Sequence, residues 1–475
     1  MIVDFDQLRH HLQHLNRNWL RGWCGQRALD CIGLSRIVPI DFIICCDYGQ
    51  DISELAKQIT VFSIEQSNFV RENWSNNHLE EVFAGELGQR FEKFSRLTRQ
   101  RYLCYRSIRY LEKLQHQDAA KHQLAAAPLD LKNYFDNKLI LYKKLPELKL
   151  RVVPGEITRI SQVNFNQLSK RYDLPFVIQL PIGSSGNNTF FIYNEEEFRR
   201  IVPRLQKTEF KVARYLPSYS LNVNAVLFRG KVHISAPSVQ VIGVSQCANR
   251  PSIFCGNDFG ATARVPIKII EESYRVTTIL SRWLNSEGYR GIFGVDLLVS
   301  DDKLYAIEIN PRMQNSTDVL TISQIRKNQI PLIGLHLLEF LPENPFTPVA
   351  FEPYQLQQGA QIILHNLERK RVRVGGELKP GIYKYMSGDI AFQRKGISLL
   401  EDLSPGEFIV NCGVPFKNQI VEKGAPLLKI QTNDLVLQDD LIHLNEWARA
   451  ITSNIYKRLH LSEPDRNLQQ PADRI

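Results

Sequence analysis

The 475-residue chain has no apolar run approaching the ~20 residues that cross a bilayer, and its N-terminus, Met-Ile-Val-Asp-Phe-Asp-Gln, places acids where a secretory signal carries basic residues. A cytoplasmic protein with no membrane partner is expected. Paired cysteine motifs are also missing: Cys24, Cys31, Cys45, Cys46, Cys104, Cys247, Cys255 and Cys412 include no Cys-x-x-Cys and no histidine at zinc-finger spacing. In a reducing compartment they read as free thiols. No Gly-x-Gly-x-x-Gly follows a strand-like run, which removes a dinucleotide-binding fold.

What is present is an ordinary soluble composition, 43% apolar and 23% charged, in a chain long enough for about three domains. The net charge is +9. Much of the excess falls in 90–109, where Lys93, Arg96, Arg99, Arg101, Arg106 and Arg109 recur at helix-compatible intervals among Phe91, Phe94, Leu97, Tyr102 and Leu103. That spacing predicts a helix with a solvated basic face, or a docking stripe for an acidic partner. Nucleic acid is not the expected partner.

The chemistry concentrates in 290–316. Ile292–Val299 and Leu304–Ile309 read as strands joined by the turn formers Ser300-Asp-Asp-Lys303. Asp296 lies in the first strand and Glu308 near the end of the second, and Asn310 emerges on the face of Glu308 by the two-residue period. Acids inside apolar strands repel one another and lose hydration, so they call for a cation. Mg2+, or Mn2+ in its place, takes such oxygen ligands together with nucleotide phosphates. Arg312, held clear of the strand by Pro311, suits a bidentate phosphate clamp.

Gly-Val-Asp followed by Ala-Ile-Glu-Ile-Asn-Pro-Arg resembles the metal-binding signature of the ATP-grasp superfamily, carboxylate–amine ligase type. The resemblance implies Asp296, Glu308 and Asn310 as Mg2+ ligands and Arg312 as a contact to the transferring phosphate. It implies Lys138, in Asp-Asn-Lys, as a phosphate lysine, and the loop bearing Gly183, Ser184, Ser185 and Gly186 as a phosphate lid over 183–189. Backbone near Tyr215 and Leu216 would hold adenine. Two departures stand out. The strand lysine before the lid is Gln179, so Lys138, Arg214 or another cation must cover the α-phosphate. The glutamates around the adenine turn are Ala213 and Ser220, which leaves the ribose to Ser220 or Asn222. In Gly256-Asn-Asp-Phe-Gly260, two glycines can aim Asn257 and Asp258 into a cleft as part of the acceptor or acid-substrate pocket, with Gln314 and Ser316; a plain turn is the alternative. Asn-Pro-Arg-x-Gln is similar to biotin carboxylases, but Asn315-Ser316-Thr317 replaces Val-Glu-His and no Met-Lys-Met follows, so neither bicarbonate chemistry nor a biotin site is expected.

The expected architecture is α/β (α+β): an ATP-grasp fold with an N-terminal α/β domain over 1–125, a core of two α+β subdomains over 126–340, a β-rich C-terminal barrel or sandwich over 355–460, and a disordered tail over 461–475. Helices are expected over 4–23 and from an Asp136 N-cap to Leu145, where Pro146 stops the second; another, from Glu195, is expected to end at Pro203. The expected activity is ATP-dependent joining of a small carboxylate, an amino acid or peptide, to an amine through an acyl phosphate, releasing ADP; a homodimer is compatible. The alternative is an ATP-grasp-shaped protein that binds nucleotide or metabolite without ligating.

Overall fold

The computed structural model describes residues 2–74, 78–96, 98–183, 186–342, 348–350 and 355–464. The chain opens with helix Phe5–Leu15, whose first turn is capped by Asp4 accepting from the Gln7 N–H. The helix stops there, not at residue 23, because Leu20–Cys24 is a strand. That strand is the centre of a five-stranded parallel sheet in the order Thr60–Ser63, Phe42–Cys45, Leu20–Cys24, Gln100–Cys104, His122–Ala125. Phe42–Cys45 is buried throughout, as expected of a parallel strand covered on both faces.

The basic stretch 90–109 is not one helix. Helix Gly85–Ser95 ends early, and Gln100–Cys104 enters the sheet beside Leu20–Cys24. Arg101 is only 1% exposed: it donates to Asn16 Oδ1 at 2.7 Å and Gln123 Oε1 at 2.6 Å and lies over the Trp19 ring. A charge so enclosed is paired and structural, which overturns both the solvated-face and the docking-stripe expectations for this residue.

A four-stranded antiparallel sheet follows, ordered Gly155–Thr158, Phe210–Arg214, Phe176–Gln179, Thr189–Ile192. The preceding helix is Lys138–Glu147, capped by Asn137 rather than Asp136, whose carboxylate pairs instead with Lys132 at 2.6 Å. Pro146 lies inside its last turn, and Pro203 inside Glu195–Leu205, so neither proline ends its helix.

The largest sheet has eleven strands. Its path runs Lys303–Asn310, Gly291–Ser300, Tyr219–Phe228, Ser238–Ile242, Phe254–Asp258, Ala360–His365, Pro426–Thr432, Glu407–Asn411, Gly381–Met386, Asp389–Arg394, with Lys231–Ile234 paired to Tyr219–Phe228. The β-rich C-terminal segment does not stand apart as its own barrel or sandwich: Ile362 pairs with Gly256, five of its strands extend the sheet that carries the hairpin, and Val372–Val374, Ile420–Val421 and Leu461–Ser462 form a second, four-stranded sheet with Val70–Arg71 of the N-terminal region. Gly256–Asp258, open to reading as a plain turn, is part of a strand. Leu461–Ser462, assigned to the tail, pair with Arg373 and Val374; residues 465–475 lie outside the described residues, as do parts of the proline-rich stretch 342–353. All eight cysteines are buried and free. Among the described residues no helix is long and apolar enough to cross a membrane.

Candidate functional site

The hairpin closes at the Ser300–Lys303 pair over Asp301 and Asp302, both at positive φ (48° and 58°), the backbone of a two-residue turn that matches strand twist. A bulge after Asp296 keeps Asp296 directly opposite Glu308, and Gly294 opposite Asn310. The three side chains are thus brought to one place. Asp296 Oδ2 accepts from Asn310 Nδ2 at 3.0 Å, and Oδ1 accepts from Asn222 at 2.6 Å and Gln240 at 3.2 Å. Burial pushes the Asp296 carboxyl up from its ordinary value, and the Asn222 and Asn310 amides oppose it. Glu308 is likewise raised by burial; Lys138, whose Nζ sits 3.0 Å from Oε1, pulls it back, and Asp296 adds to the rise.

Two half-buried carboxylates face to face with a hard amide oxygen nearby fit Mg2+. Among the described residues no group of three or more His, Cys, Asp or Glu gathers, so phosphate and water oxygens would complete the shell. The Asn310 Oδ1 accepts from Arg312 Nη2 at 2.7 Å, so its amide oxygen would have to leave that bond to ligate. Arg312 is held by Asn310, the Tyr105 hydroxyl (2.9 Å) and the Met313 carbonyl (2.8 Å), while its Nε is buried without a partner.

These residues edge a cavity of ≈390 Å³ between the small sheet and the large one. Gln179, Gly186, Arg214, Tyr215, Leu216, Ser220, Asn222, Asn257, Gln314 and Ser316 line it too. Lys138 reaches it through Glu308 and also donates to the Gly183 carbonyl at 3.3 Å. Gly186, at φ +76°, would drive a Cβ into the Ser252 carbonyl at 1.7 Å, so only glycine fits. Ser184 and Ser185 lie outside the described residues. Ser316 is 1% exposed and spends its hydroxyl on Asn222 and Asn224, which fixes the Asn222 amide on Asp296. Gln314 Nε2 is 3.4 Å from Asp296 and its Oε1 has no partner.

Asp258 is a correction. Successive strand residues point to opposite faces, so Asn257 lines the cavity while Asp258 turns away. Its carboxylate accepts from the N–H groups of Ala261 (2.8 Å), Val436 (2.8 Å) and Leu437 (3.2 Å), which makes it a structural clasp and not a substrate contact.

The residue that sequence reasoning missed is Lys211. It stands opposite Gln179 on the neighbouring antiparallel strand, and its Nζ donates to Gln179 Oε1 at 3.2 Å. It is 5% exposed, lies over the Tyr142 ring, and has no carboxylate within ion-pair distance among the described residues. Burial, with help from Lys138, lowers its pKa to about 8. Arg214, by contrast, is committed to an exposed pair with Asp173. A buried ammonium thus stands across the ladder from position 179, a placement that only the pairing of these two strands could have shown.

Residues 135–316 match the family model described as "ATP-grasp domain". Over 188 residues the chain is 24% identical to the [butirosin acyl-carrier protein]–L-glutamate ligase of Niallia circulans; the match covers 38% of this chain and 42% of that protein. The fold is similar to N5-carboxyaminoimidazole synthetase from Staphylococcus aureus complexed with ADP (TM-score 0.51, 14% identity, 88% of this chain and 94% of that one). It is similar also to phosphoribosylamine–glycine ligase from Thermotoga maritima (TM-score 0.54, 12% identity, 93% and 98%). A third likeness is the biotin carboxylase domain of 2-oxoglutarate carboxylase from Hydrogenobacter thermophilus (TM-score 0.54, 11% identity, 87% and 86%), solved as a dimer with MgADP and bicarbonate. The sequence signature, the matched domain and the shared architecture coincide on one hairpin and one cavity: residues 135–316 carry an ATP-grasp domain.

Proposed function

We propose that this protein is an ATP-dependent carboxylate–amine ligase that forms an amide through an acyl phosphate and releases ADP and phosphate. The observation that carries the reading is the convergence, at one end of the ≈390 Å³ cavity, of the Asp296–Glu308 pair with Lys138, Arg312 and Lys211. Three cations gathered near two half-buried acids match a ligand that brings both a triphosphate and a divalent metal. Asp296 and Glu308, with Asn310 as an amide ligand, would hold Mg2+, which when bound would supply neutralisation of phosphate charge.

The chain's own residues do the rest. Lys211 and Lys138 offset the charge of the bound phosphates, and the Arg312 fork faces the transferring group, because phosphoryl transfer depends mainly on positioning and electrostatics. Tyr215 and Leu216 present backbone groups to the base, and Ser220 and Asn222 lie where the ribose is read. Gln314 and Asn257 supply neutral polar contacts to the substrate on the hairpin side. The chain spans about 42% of the length of the curated relative it matches. The L-glutamate in that relative's name supports an amino acid as one of the two substrates here; the cytoplasm is the site of action proposed with it.

Phosphate release is the test. The expected result is ADP formation that requires both an acid and an amine and is abolished by Glu308→Ala. MgATP bound without acid-dependent turnover would instead make the chain a nucleotide-binding protein.

A further inference from the structure

A second, smaller cavity lies beside the first. It has a volume of ≈60 Å³ and is formed where the parallel sheet meets the large sheet, with Phe254 and Asn315 lining both cavities. Its floor comes from residues that leave the carboxyl ends of two parallel strands: Gln26 and Arg27 follow Leu20–Cys24, and Asp47 follows Phe42–Cys45. In the strand order of this sheet the chain moves outward to one side of Leu20–Cys24 and then returns to its other side with Gln100–Cys104, so the cavity opens beside the topological switch point, where parallel sheets bind ligands.

Two of the charged groups facing this cavity are unspent. Arg71 is fully committed, to Glu65 at 2.7 Å and to the carbonyls of Tyr48, Gly413 and Leu427. Arg27 is half-buried, and among the described residues no carboxylate lies within ion-pair distance of it and no acceptor is bonded to it. Asp47 is 6% exposed; its Oδ1 accepts from the Ala28 N–H at 2.8 Å, while Oδ2 is buried with no hydrogen-bond partner among the described residues. A buried oxygen left without a donor is costly and calls for an explanation, which a ligand that supplies the donor provides.

We infer that this cavity binds the head group of an α-amino acid, with the Arg27 guanidinium on its carboxylate and Asp47 Oδ2 on its ammonium. Size agrees: at about 10–15 Å³ per water-sized group, ≈60 Å³ takes about four to six heavy atoms, a range that includes the five of an amino-acid head group. A larger side chain has an exit toward the nucleotide cavity past Phe254 and Asn315. Burial and the nearby Glu65 carboxylate hold free Asp47 up at about 7, so an arriving ammonium finds a group that ionises readily near neutrality. The inference rests on the ligase reading, since it assigns the seat of one of that reaction's two substrates.

The test is thermal unfolding of the full chain with millimolar proteinogenic amino acids and their carboxamides, each read with and without MgADP. At least one amino acid is expected to raise the Tm while its carboxamide, lacking the carboxylate, does not. Arg27→Ala and Asp47→Asn should weaken that binding by about 10- to 100-fold yet keep the shift from MgADP alone; Asp47→Asn retains the Oδ1 acceptor for Ala28, and Arg27→Lys should recover part of the affinity. The inference is overturned if no amino acid shifts the wild type, if the carboxamide shifts it equally, or if both variants respond as the wild type does. Absence of the MgADP shift from the wild type is a separate result that sinks the nucleotide site.

Discussion

Exchanging the residues at 179 and 211 tests whether the nucleotide cation has been moved one strand over. In the free protein Lys211 is buried against a neutral amide and a tyrosine ring, with Lys138 as a like-charged neighbour. Its charge is therefore uncompensated until an anion arrives. A charge-assisted hydrogen bond to phosphate is worth about 1.5–3 kcal/mol, so Lys211→Gln should weaken MgADP binding by about 10- to 100-fold while leaving the unliganded Tm unchanged or higher. Gln179→Lys alone places two ammonium groups in contact, a repulsion of about 4 kcal/mol at surface-like screening, which one of them relieves by shedding its proton. The double variant Gln179→Lys/Lys211→Gln should restore affinity to within about threefold, since it returns one cation to the same contact. Titration calorimetry with MgADP reads all four proteins. The pH arm has a definite sign: free Lys211 titrates at about 8, and bound phosphate holds it charged, so affinity is full below that value and falls as pH rises through it. Between pH 7 and pH 9 the loss is about tenfold, with uptake of about half a proton on binding at pH 8. Wild-type affinity in Lys211→Gln, or a double variant no better than the single, refutes the reasoning.

The other predictions follow from individual contacts. Glu308→Ala removes the partner of buried Lys138 and half of the carboxylate pair, so MgADP affinity should drop at least about 100-fold in the same calorimeter, with no ADP release in a coupled assay. Asp258→Ala leaves three backbone N–H groups without their acceptor and should lower the unfolding free energy by about 2–4 kcal/mol in urea, while KM for every substrate stays within twofold; a specificity change with unaltered stability would return Asp258 to the substrate pocket. Arg101→Ala empties a buried guanidinium site and should destabilise by about 3 kcal/mol; a variant of unchanged stability would contradict its structural role.

Which parts of this could be read from residues alone follows from the range of the interactions. The hairpin was legible because its information is local: two apolar runs, a pair of turn aspartates and a two-residue period put Glu308 and Asn310 on one face of a ribbon, but the one-residue bulge that sets Asp296 opposite Glu308 rather than Ile307 left no mark in that pattern. The segment 90–109 misled for an equally local reason. Charge spacing that suits a helix also spans a helix end and a new strand, and the aromatic residues that looked like one stripe divide between helix Gly85–Ser95 and strand Gln100–Cys104. Asp258 misled because adjacent residues in a strand serve different masters, Asn257 the cavity and Asp258 the backbone at 436–437. Lys211 was invisible at any local range. Its neighbour Gln179 is 32 positions away, across a strand and a helix that intervene in the chain but not in the ladder. A missing lysine in a motif is thus weak evidence of lost binding. A phosphate responds to the charge within a few ångströms of it, and an antiparallel sheet offers two strands from which that charge can come.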